Sequence, residues 1–499
     1  MTANRASQLW RAAERWPSRV AITDGDTQVD YAQLRDRAAG YADLLTGAGA
    51  VPGDRVALLL RRTWDAAAAV FGVWATGAVA VVLADVLRPR QIEHAVGHSR
   101  AVILLAGPDA ARHHRSLELS AAVLAPPPDT VASYDVVPRD GDDVAQLVYT
   151  SGSTGLPKGV MVSHANLRAG VEAVGQYLGI ASSDRLASLL PFSFDYGMNQ
   201  LLVAVASGAS LVIERSPVPA RIDRTLRSTG VTVTAGVPAL WHQLLQAASF
   251  RGEPIETLRM MTNTGGRLPE ETVRQLRAGQ PHAALFSMYG LTEAFRSTYL
   301  APSLVDRKPT SVGQAIPGAD VRVVRPDGST CEPFEVGEIV HRGPTVTLGY
   351  WDDEPATRQA FRCPAGHGDP RWSRDCVVHS GDFGWTDDDG DLYVKGRRDR
   401  MIKRLGYRVS PDEITEAVFA SGMVQDACVT TAPGPGPDQD ADVVGHVVLA
   451  DGTEVGDLER HLAVELPRHL RPSQLVVHAA LPTTPHGKHD LDALEGAAR

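Results

Sequence analysis

The sequence has few cysteines, no long apolar run and no excess of positive charge, and each shortage excludes a class of protein. Its four cysteines among 499 residues are too few for a disulfide-stabilised scaffold. No apolar stretch approaches the roughly 18 residues that a membrane span requires. The net charge of −10 provides no overall basic field for nucleic acid or an anionic membrane. Because residues 1–21 also lack the apolar core of a signal peptide, we expect a cytoplasmic protein.

The chain does contain enough apolar sequence for sizeable cores, since 43% of its residues are hydrophobic. Its length predicts two or three domains. In the first 140 residues helical and strand patterns alternate, which favours an α/β fold with largely parallel sheets. The helical patterns cover Ala6–Trp16, Tyr31–Thr46 and Trp64–Thr76, and the strand patterns cover Val20–Ile22, Arg55–Leu60 and Ala78–Leu83.

A change of pattern late in the chain predicts a domain boundary. The last hundred residues combine short strand patterns with helical segments at Pro411–Ala420 and Asp457–Leu466. We therefore predict a large N-terminal domain of layered α/β subdomains, residues 1–398. A small, mobile α+β C-terminal domain would follow, residues 399–499.

The strongest functional signal lies between a predicted strand at Ala145–Tyr149 and a predicted helix at Ala165–Leu178 that Ser163 can cap. The intervening segment reads Thr150-Ser151-Gly152-Ser153-Thr154-Gly155-Leu156-Pro157-Lys158-Gly159. Glycines let backbone N–H groups turn towards an anion, hydroxyls add donors, and the lysine adds mobile positive charge. A Walker A loop is excluded, because that pattern needs Gly before the lysine and Ser or Thr after it. We predict a polyphosphate site here rather than a flexible Ser/Gly linker.

This loop resembles the signature phosphate loop of the adenylate-forming superfamily, which comprises acyl-CoA synthetases, peptide-synthetase adenylation domains and luciferases. Further motifs similar to those of the family follow in the expected order over nearly the whole chain. They are Gly265-Gly266-Arg267, Tyr289-Gly290-Leu291-Thr292-Glu293, Ser380-Gly381-Asp382, Gly396–Lys403, Leu405–Arg408 and Pro482–Lys488. The resemblance implies ATP and Mg²⁺ as cofactors, and a phosphopantetheine thiol, carrier-bound or in CoA, as the acceptor.

The resemblance also implies a role for individual residues. ATP would be bound by Thr150, Ser151, Gly152, Ser153 and Gly155 at the phosphates, by Gly265, Gly266, Arg267 and Tyr289 along the adenine, by Gly290 and Thr292, and by Asp382 and Arg397 at the ribose. The catalytic residues would be Thr154, Lys158, Glu293 as the Mg²⁺ ligand, and Lys488 between the substrate carboxylate and the α-phosphate. Asp399 would be the hinge of the C-terminal domain, and Gly406 would admit the pantetheine arm. Arg267 departs from the family, where Glu or Ala is usual.

Lysine is scarce, since only five of the 49 basic residues are lysines and the other 44 are arginines. Four of the five, Lys158, Lys395, Lys403 and Lys488, lie in the family motifs, and the fifth is Lys308. Where composition favours arginine so strongly, a lysine marks a position that needs a compact and flexible ammonium group.

The acid pocket is predicted around Phe194-Asp195. Adenylation domains for α-amino acids commonly carry Phe-Asp at this place, with the aspartate pairing the substrate ammonium, whereas acyl-CoA synthetases often carry an aromatic-His pair. A buried carboxylate needs a partner, and a local arginine or a helix N-terminus is the alternative to a substrate ammonium for Asp195. The predicted pocket residues are Phe194, Asp195, Tyr196, Asn199, Thr264, Phe286 and Met288.

Together these motifs predict a two-step ligase that converts an acid and ATP into an acyl-adenylate and pyrophosphate, and then acylates a thiol. The favoured substrate is a small amino acid, standard or non-standard, loaded onto a carrier protein in trans, since no carrier motif precedes Arg499. An acyl- or aryl-CoA synthetase is the first alternative. A non-catalytic nucleotide-binding or scaffold protein is the second, and the joint presence of Lys158, Glu293, Asp382 and Lys488 argues against it.

Two clusters have metal-binding residue types but are not predicted to bind metal. Cys363, His367, Cys376 and His379 do not have the spacing of a standard zinc finger. The aspartate-rich segment Asp387–Asp391 lacks the first and twelfth ligands of a calcium loop, so a solvated hairpin turn is expected there.

Overall fold

The computed structural model of the chain describes residues 3–107, 121–127, 134–150, 157–363, 376–397, 402–404, 407–432, 442–484 and 487–497. In chain order its strands are β1 (Val20–Asp24), β2 (Thr27–Asp30), β3 (Arg55–Leu59), β4 (Val79–Val82), β5 (Ile103–Ala106), β6 (Ala122–Leu124), β7 (Val144–Thr150), β8 (Lys158–Ser163), β9 (Arg185–Ser188), β10 (Ser210–Ile213), β11 (Val233–Gly236), β12 (Met260–Asn263), β13 (Ala284–Tyr289), β14 (Thr298–Tyr299), β15 (Gln314–Ala315), β16 (Asp320–Val324), β17 (Gly337–Arg342), β18 (Phe361–Arg362), β19 (Val377–Thr386), β20 (Leu392–Arg397), β21 (Ile402–Arg404), β22 (Tyr407–Val409), β23 (Val424–Ala432), β24 (Asp442–Leu449) and β25 (Gln474–Val477).

The helices of the same residues are α1 (Ala6–Arg15), α2 (Tyr31–Gly47), α3 (Trp64–Ala75), α4 (Pro89–Ser99), α5 (His164–Leu178), α6 (Asp195–Ser207), α7 (Pro219–Ser228), α8 (Pro238–Gln246), α9 (Ala248–Gly252), α10 (Glu270–Gly279), α11 (Glu354–Ala360), α12 (Pro411–Ala420), α13 (Val455–Glu465) and α14 (Leu491–Ala497). None of them combines the length and the apolar character that crossing a membrane requires.

Two large sheets with mostly parallel pairing organise the body of the protein, by which we mean the described residues up to 397. One sheet has nine strands in the order β15-β14-β13-β12-β11-β9-β10-β1-β2, and the other has six in the order β6-β5-β3-β4-β7-β8. Wherever the structure describes the connection between successive parallel strands, that connection contains a helix, as expected for a crossover. The alternation of strands and helices in the sequence is therefore reproduced in space.

Helices α1, α2, α3, α5 and α6 contribute to one large apolar core between these layers. Small residues bring α2 and α3 close together: a Cβ on Gly72 of α3 would lie 2.5 Å from the Cβ of Tyr41 on α2. Asp30 and Gln33 form a capping box that begins α2. Close helix packing of this kind explains why the alanine-rich segment around Gly72 is entirely buried.

A third sheet, antiparallel throughout, contains β16 to β20 and follows the parallel sheets in the chain. The C-terminal segment, residues 402–497, adds the hairpin β21–β22 and a three-stranded sheet β23-β24-β25 on which α12 packs. The predicted α/β fold class is confirmed. The predicted boundary falls at residues outside the described ranges and stays a prediction.

Both clusters that were not predicted to bind metal have other partners. Cys363 and Cys376 form a disulfide bond, and His379 binds Glu338 at 2.9 Å, while His367 lies outside the described residues. The prediction of a fully solvated turn at Asp387–Asp391 is wrong in part. Lys308 donates to three carboxylates of this turn, and Asp391 is buried.

Candidate active site

The phosphate loop connects two paired strands, because Thr150 at the end of β7 lies opposite Lys158 at the start of β8. The predicted loop residues Ser151, Gly152, Ser153, Thr154 and Gly155 lie outside the described residues. Ser163 caps α5 and forms a capping box with Asn166. The strand before the loop and the capped helix after it are thus confirmed.

Side-chain contacts join Lys158, at the start of β8, to Tyr350 and Tyr350 to Glu293. The Lys158 ammonium lies 5.2 Å from the centre of the Tyr350 ring and 3.4 Å from Asp353. The Tyr350 hydroxyl donates to Glu293 Oε1 at 2.7 Å, and Thr347 holds the Glu293 main-chain oxygen. Burial and the negative charge of Glu293 raise the pKa of Tyr350, so its hydroxyl stays protonated and can donate.

The donor set at Glu293 suits a hard divalent cation. One carboxylate oxygen is oriented by the Tyr350 hydroxyl, and no hydrogen bond from the part of the chain that the structure describes engages the other. Mg²⁺ takes oxygen ligands and commonly uses one or two carboxylates together with substrate phosphates. The residues therefore fit the predicted role of Glu293.

Tyr289, which is predicted to contact the adenine, and Asp382, which is predicted to contact the ribose, touch each other. The Tyr289 hydroxyl donates to Asp382 Oδ2 at 2.6 Å, and the strand pairing places Asp382 opposite Arg397. Burial raises the pKa of Asp382. His341 packs against Tyr289 with ring centres 5.6 Å apart, and its burial lowers the imidazole pKa to about 3, so it is neutral.

The Gly-Gly-Arg segment lies close to the C-terminal segment. Gly265 has a φ of +79°, and a Cβ there would lie 3.1 Å from Val237 and 3.4 Å from the Lys488 side chain. Gly266 accepts a hydrogen bond from Asn263. Arg267 forms an ion pair of 2.7 Å with Glu416 on α12. Its guanidinium is thereby engaged between the body and the C-terminal segment, and an adenine contact stays a prediction.

Lys488 extends from the C-terminal segment into the body. Its ammonium lies 5.9 Å from the centre of the Phe194 ring, so the predicted catalytic lysine reaches the predicted acid pocket. Lys488 as a residue is exposed to solvent, while its ammonium lies among protein groups. Burial of the ammonium lowers the pKa of Lys488, and the negative charges of Asp195 and Asp382 oppose this shift.

All of the predicted pocket residues are buried: Phe194, Asp195, Tyr196, Asn199, Thr264, Phe286 and Met288. Phe194 and Tyr196 contact edge to face at 6.3 Å, and the Tyr196 hydroxyl bonds Thr262. The pocket wall at Phe286 and Met288 is completed by Tyr177, whose hydroxyl contacts the Met288 sulfur at 3.0 Å.

Asp195 is the first residue of α6 and only 4% exposed. Burial raises its pKa, while Arg296 and Lys488 oppose that shift through their charges. Among the residues that the structure describes, Asp195 has no ion-pair partner, and it is not the cap of the helix. The arginine alternative is therefore not realised as an ion pair, whereas the helix N-terminus contributes one backbone hydrogen bond, from Tyr196 to the Asp195 carboxylate.

Sequence reasoning missed three residues of this site: Arg296, His341 and Tyr350. Arg296 stands three positions after Glu293, but a chain with 44 arginines gives no signal that one of them is buried. His341 on β17 and Tyr350, between β17 and α11, come later in the chain and reach the site only through tertiary folding. A polar or aromatic residue inside an apolar strand, such as His341 in β17, was the one available indication.

A cluster beside Lys488 links the body to the C-terminal segment. His242 of α8 lies 2.8 Å from Asp426 of β23, and His489 lies 3.1 Å from both oxygens of the same carboxylate. His242 also contacts Thr272 at 3.2 Å. The two imidazoles hold the pKa of Asp426 well below its usual range despite its burial.

Comparisons with known proteins agree on one enzyme family. A model of the AMP-binding enzyme family matches residues 9–351. The L-proline–[L-prolyl-carrier protein] ligase of Pseudomonas fluorescens is 29% identical over 98% of both chains, and a feruloyl-CoA synthase of an Amycolatopsis species is 30% identical over 96% of both. The structure of O-succinylbenzoate coenzyme A synthetase from Bacillus subtilis, in complex with ATP and magnesium, has a TM-score of 0.83 at 25% identity, covering 98% of this chain and 99% of that one.

Proposed function

The chain belongs to the AMP-binding enzyme family and is an AMP-forming ligase, and from this premise we propose that it activates a small amino acid. The substrate carboxylate attacks the α-phosphorus of ATP, the bond to the bridging oxygen of the β-phosphate breaks, and pyrophosphate leaves. The products are an aminoacyl-adenylate and pyrophosphate. Because attacking and leaving groups are both anionic, positioning and charge neutralisation supply most of the catalysis.

In this proposal each charged or polar residue around the pocket binds a different part of the substrates. Lys488 binds the carboxylate and the α-phosphate, while Thr154 and Lys158 bind the outer phosphates. Glu293, oriented by Tyr350, holds Mg²⁺, which would neutralise phosphate charge when bound. Asp382 and Arg397 hold the ribose, and Tyr289 lies along the adenine with Gly265, Gly266 and Arg267.

The second step transfers the aminoacyl group to a phosphopantetheine thiol, with AMP as the leaving group. We propose that residues 399–499 act as a mobile domain, turning about Asp399 so that Lys488 withdraws and the loop at Gly406 reaches the active site. A separate carrier protein is the favoured acceptor, and the similarity to a prolyl-carrier protein ligase supports it. We place the reaction in the cytoplasm, without a nucleic-acid or membrane partner.

The proposal rests on one observation. The Lys488 ammonium lies near the ring of Phe194, and Asp195 is the next residue after Phe194. One cation and one buried carboxylate without a protein ion pair lie at a single pocket. An α-amino acid offers the complementary carboxylate and ammonium. An organic acid without an amine would offer Asp195 no ammonium and leave this buried carboxylate without a direct ion pair, which is costly in a buried site.

Amino-acid-dependent pyrophosphate exchange tests this proposal. We expect exchange with amino acids and at least a hundredfold loss in the variant Asp195→Asn, which keeps the shape and removes the charge. The alternative, an acyl- or aryl-CoA synthetase, is favoured by the similarity to feruloyl-CoA synthase. Exchange with amine-free acids alone, unaffected by Asp195→Asn, would establish that alternative.

A further inference from the structure

Arg296 is a buried arginine three positions after Glu293. Its exposed fraction is 3%, and its side chain makes no hydrogen bond or ion pair to any residue within the described ranges. Its Nη2 is wholly enclosed without an acceptor. Buried charges in folded proteins are normally paired, because desolvation without compensation is costly. A ligand group is the natural partner for such a cation.

The surroundings hold Arg296 in place against this cost. Its guanidinium lies 4.5 Å from the ring centre of Tyr196 and 5.7 Å from that of Phe295, so aromatic faces support the charge. Phe295 has a φ of +55°, and Arg296 N donates to the carbonyl of Ala294 at 2.6 Å. This tight turn is unfavourable for a residue with a side chain, and strain of this kind concentrates at ligand sites.

The packing behind this turn holds the Phe295 ring in place. A Cβ on Gly170 would lie 2.4 Å from the Phe295 ring, so the helix carries glycine where the ring abuts it. Phe295 is fully buried in this arrangement. The turn is therefore fixed from behind, and Arg296 is directed towards Tyr196 and the pocket.

Arg296 and Asp195 then present opposite charges to one pocket without pairing with each other. The Arg296 guanidinium lies over the ring of Tyr196, the residue that follows Asp195, and the charges of Arg296 and Lys488 oppose the effect of burial on the pKa of Asp195. Apart from Asp382 and Glu293, which are assigned to the ribose and to Mg²⁺, the charged groups left for the acid substrate are two cations, Lys488 and Arg296, and one anion, Asp195. A substrate with the reverse pattern, two carboxylates and one ammonium, satisfies all three groups.

We propose that Arg296 binds a second carboxylate and that the enzyme activates an amino dicarboxylic acid. One carboxylate meets Lys488 and is adenylated, the ammonium meets Asp195, and the other carboxylate meets Arg296. The five donors of a guanidinium match a carboxylate bidentately, whereas a neutral acceptor would leave the buried charge uncompensated. This inference rests on the proposed function and narrows its substrate class.

The test is pyrophosphate exchange by the full-length enzyme with a panel that removes one charge at a time. Amino dicarboxylic acids of four to six carbons, branched ones included, are compared with their side-chain amides, with neutral amino acids such as alanine and proline, and with amine-free succinate. We expect kcat/KM for one amino dicarboxylate to exceed that of its isosteric amide by at least a hundredfold.

The variants Arg296→Met and Arg296→Lys separate recognition from packing. Arg296→Met should lower kcat/KM for the dicarboxylate by a hundredfold or more while changing that for the amide less than threefold, and Arg296→Lys should restore part of the loss. Arg259→Met is the matched control, because Arg259 pairs with Asp184 and makes no contact with the pocket; it should keep the preference for the dicarboxylate.

The outcomes distinguish this inference from the proposed function. Equal loss for both substrates in Arg296→Met would overturn the inference, as would a wild-type preference for alanine or proline, which would leave the proposed function intact. Succinate as good as the amino dicarboxylate would support Arg296 and refute the role of Asp195. If no acid supports exchange, the proposed function fails and the inference fails with it.

Discussion

The substitution Asp426→Asn tests whether the cluster of His242, Asp426 and His489 places Lys488 for adenylation. His489 follows Lys488 directly in the chain, and Asp426 holds it against His242 of the body. The asparagine keeps the shape of the aspartate and removes its charge. Any effect on adenylation must then pass through the position of the neighbouring lysine.

The magnitude follows from the contacts that the charge makes. Hydrogen bonds to a charged group contribute about 1.5–3 kcal/mol each, and Asp426 bonds one imidazole on each side. Weakening both by roughly half costs about 1.5–3 kcal/mol of the free energy that docks the C-terminal segment. At about 1.4 kcal/mol per tenfold, the rate of pyrophosphate exchange should fall by roughly 10- to 150-fold.

The pH dependence of the wild type follows from the same carboxylate. Its pKa in the folded protein is below the ordinary value, so its stabilising contribution is complete above the ordinary carboxyl range, near pH 4. That contribution is lost as the pH falls through the folded-state pKa. Asp426→Asn should therefore flatten the acid limb of a plot of unfolding free energy against pH.

The assay compares exchange rates of folded protein with denaturant midpoints, using Asp457→Asn as the control. Asp457 is an exposed carboxylate of the same segment that pairs with Arg460 one turn away, so its loss should change neither quantity measurably. Normal exchange by folded Asp426→Asn, with only the denaturation midpoint lowered, would refute a positioning role and leave a purely structural one.

Three further predictions concern single contacts. Tyr350→Phe removes the hydroxyl that orients Glu293 and should raise the Mg²⁺ concentration needed for half-maximal exchange about fivefold, by roughly 1 kcal/mol; an unchanged requirement in a Mg²⁺ titration would contradict the role of Glu293. Gly170→Ala should destabilise the protein by about 1–3 kcal/mol in urea denaturation, because its Cβ meets Phe295. Gly175→Ala on the same helix has open space and should stabilise it by up to about 1 kcal/mol. Lys308→Met leaves three carboxylates without their ammonium and should weaken ATP binding measured by calorimetry, since the aspartate-rich turn joins the strands of Asp382 and Arg397.

Local signals in the sequence predicted local structure well. The strand before the phosphate loop and the helix after it were predicted from an apolar run and from Ser163, and both lie within a residue or two of their predicted ends. Helix Pro411–Ala420 has the predicted bounds. Capping residues and periodicity act within a few positions of the chain, so no tertiary information was needed.

Long-range contacts were beyond the reach of the same signals. His242 and Asp426 are 184 positions apart, and neither stands in a motif. Arg267 was assigned to the adenine because of its neighbours, yet its guanidinium pairs with Glu416. Arg296 was hidden by composition, because burial sets Arg296 and Arg5 apart from the other described arginines and residue type does not reveal burial.

Lys308 shows what the scarcity of lysine means for the evolution of this chain. A single ammonium meets Asp387, Asp389 and Asp391 from one point, whereas a planar guanidinium would have to serve three converging carboxylates with donors fixed in a fork. Replacing Lys308 by arginine is therefore unfavourable for geometric reasons, even though the composition of the chain favours arginine. A library that carries every amino acid at position 308 tests this: variants with arginine at this position should be depleted after selection for activity.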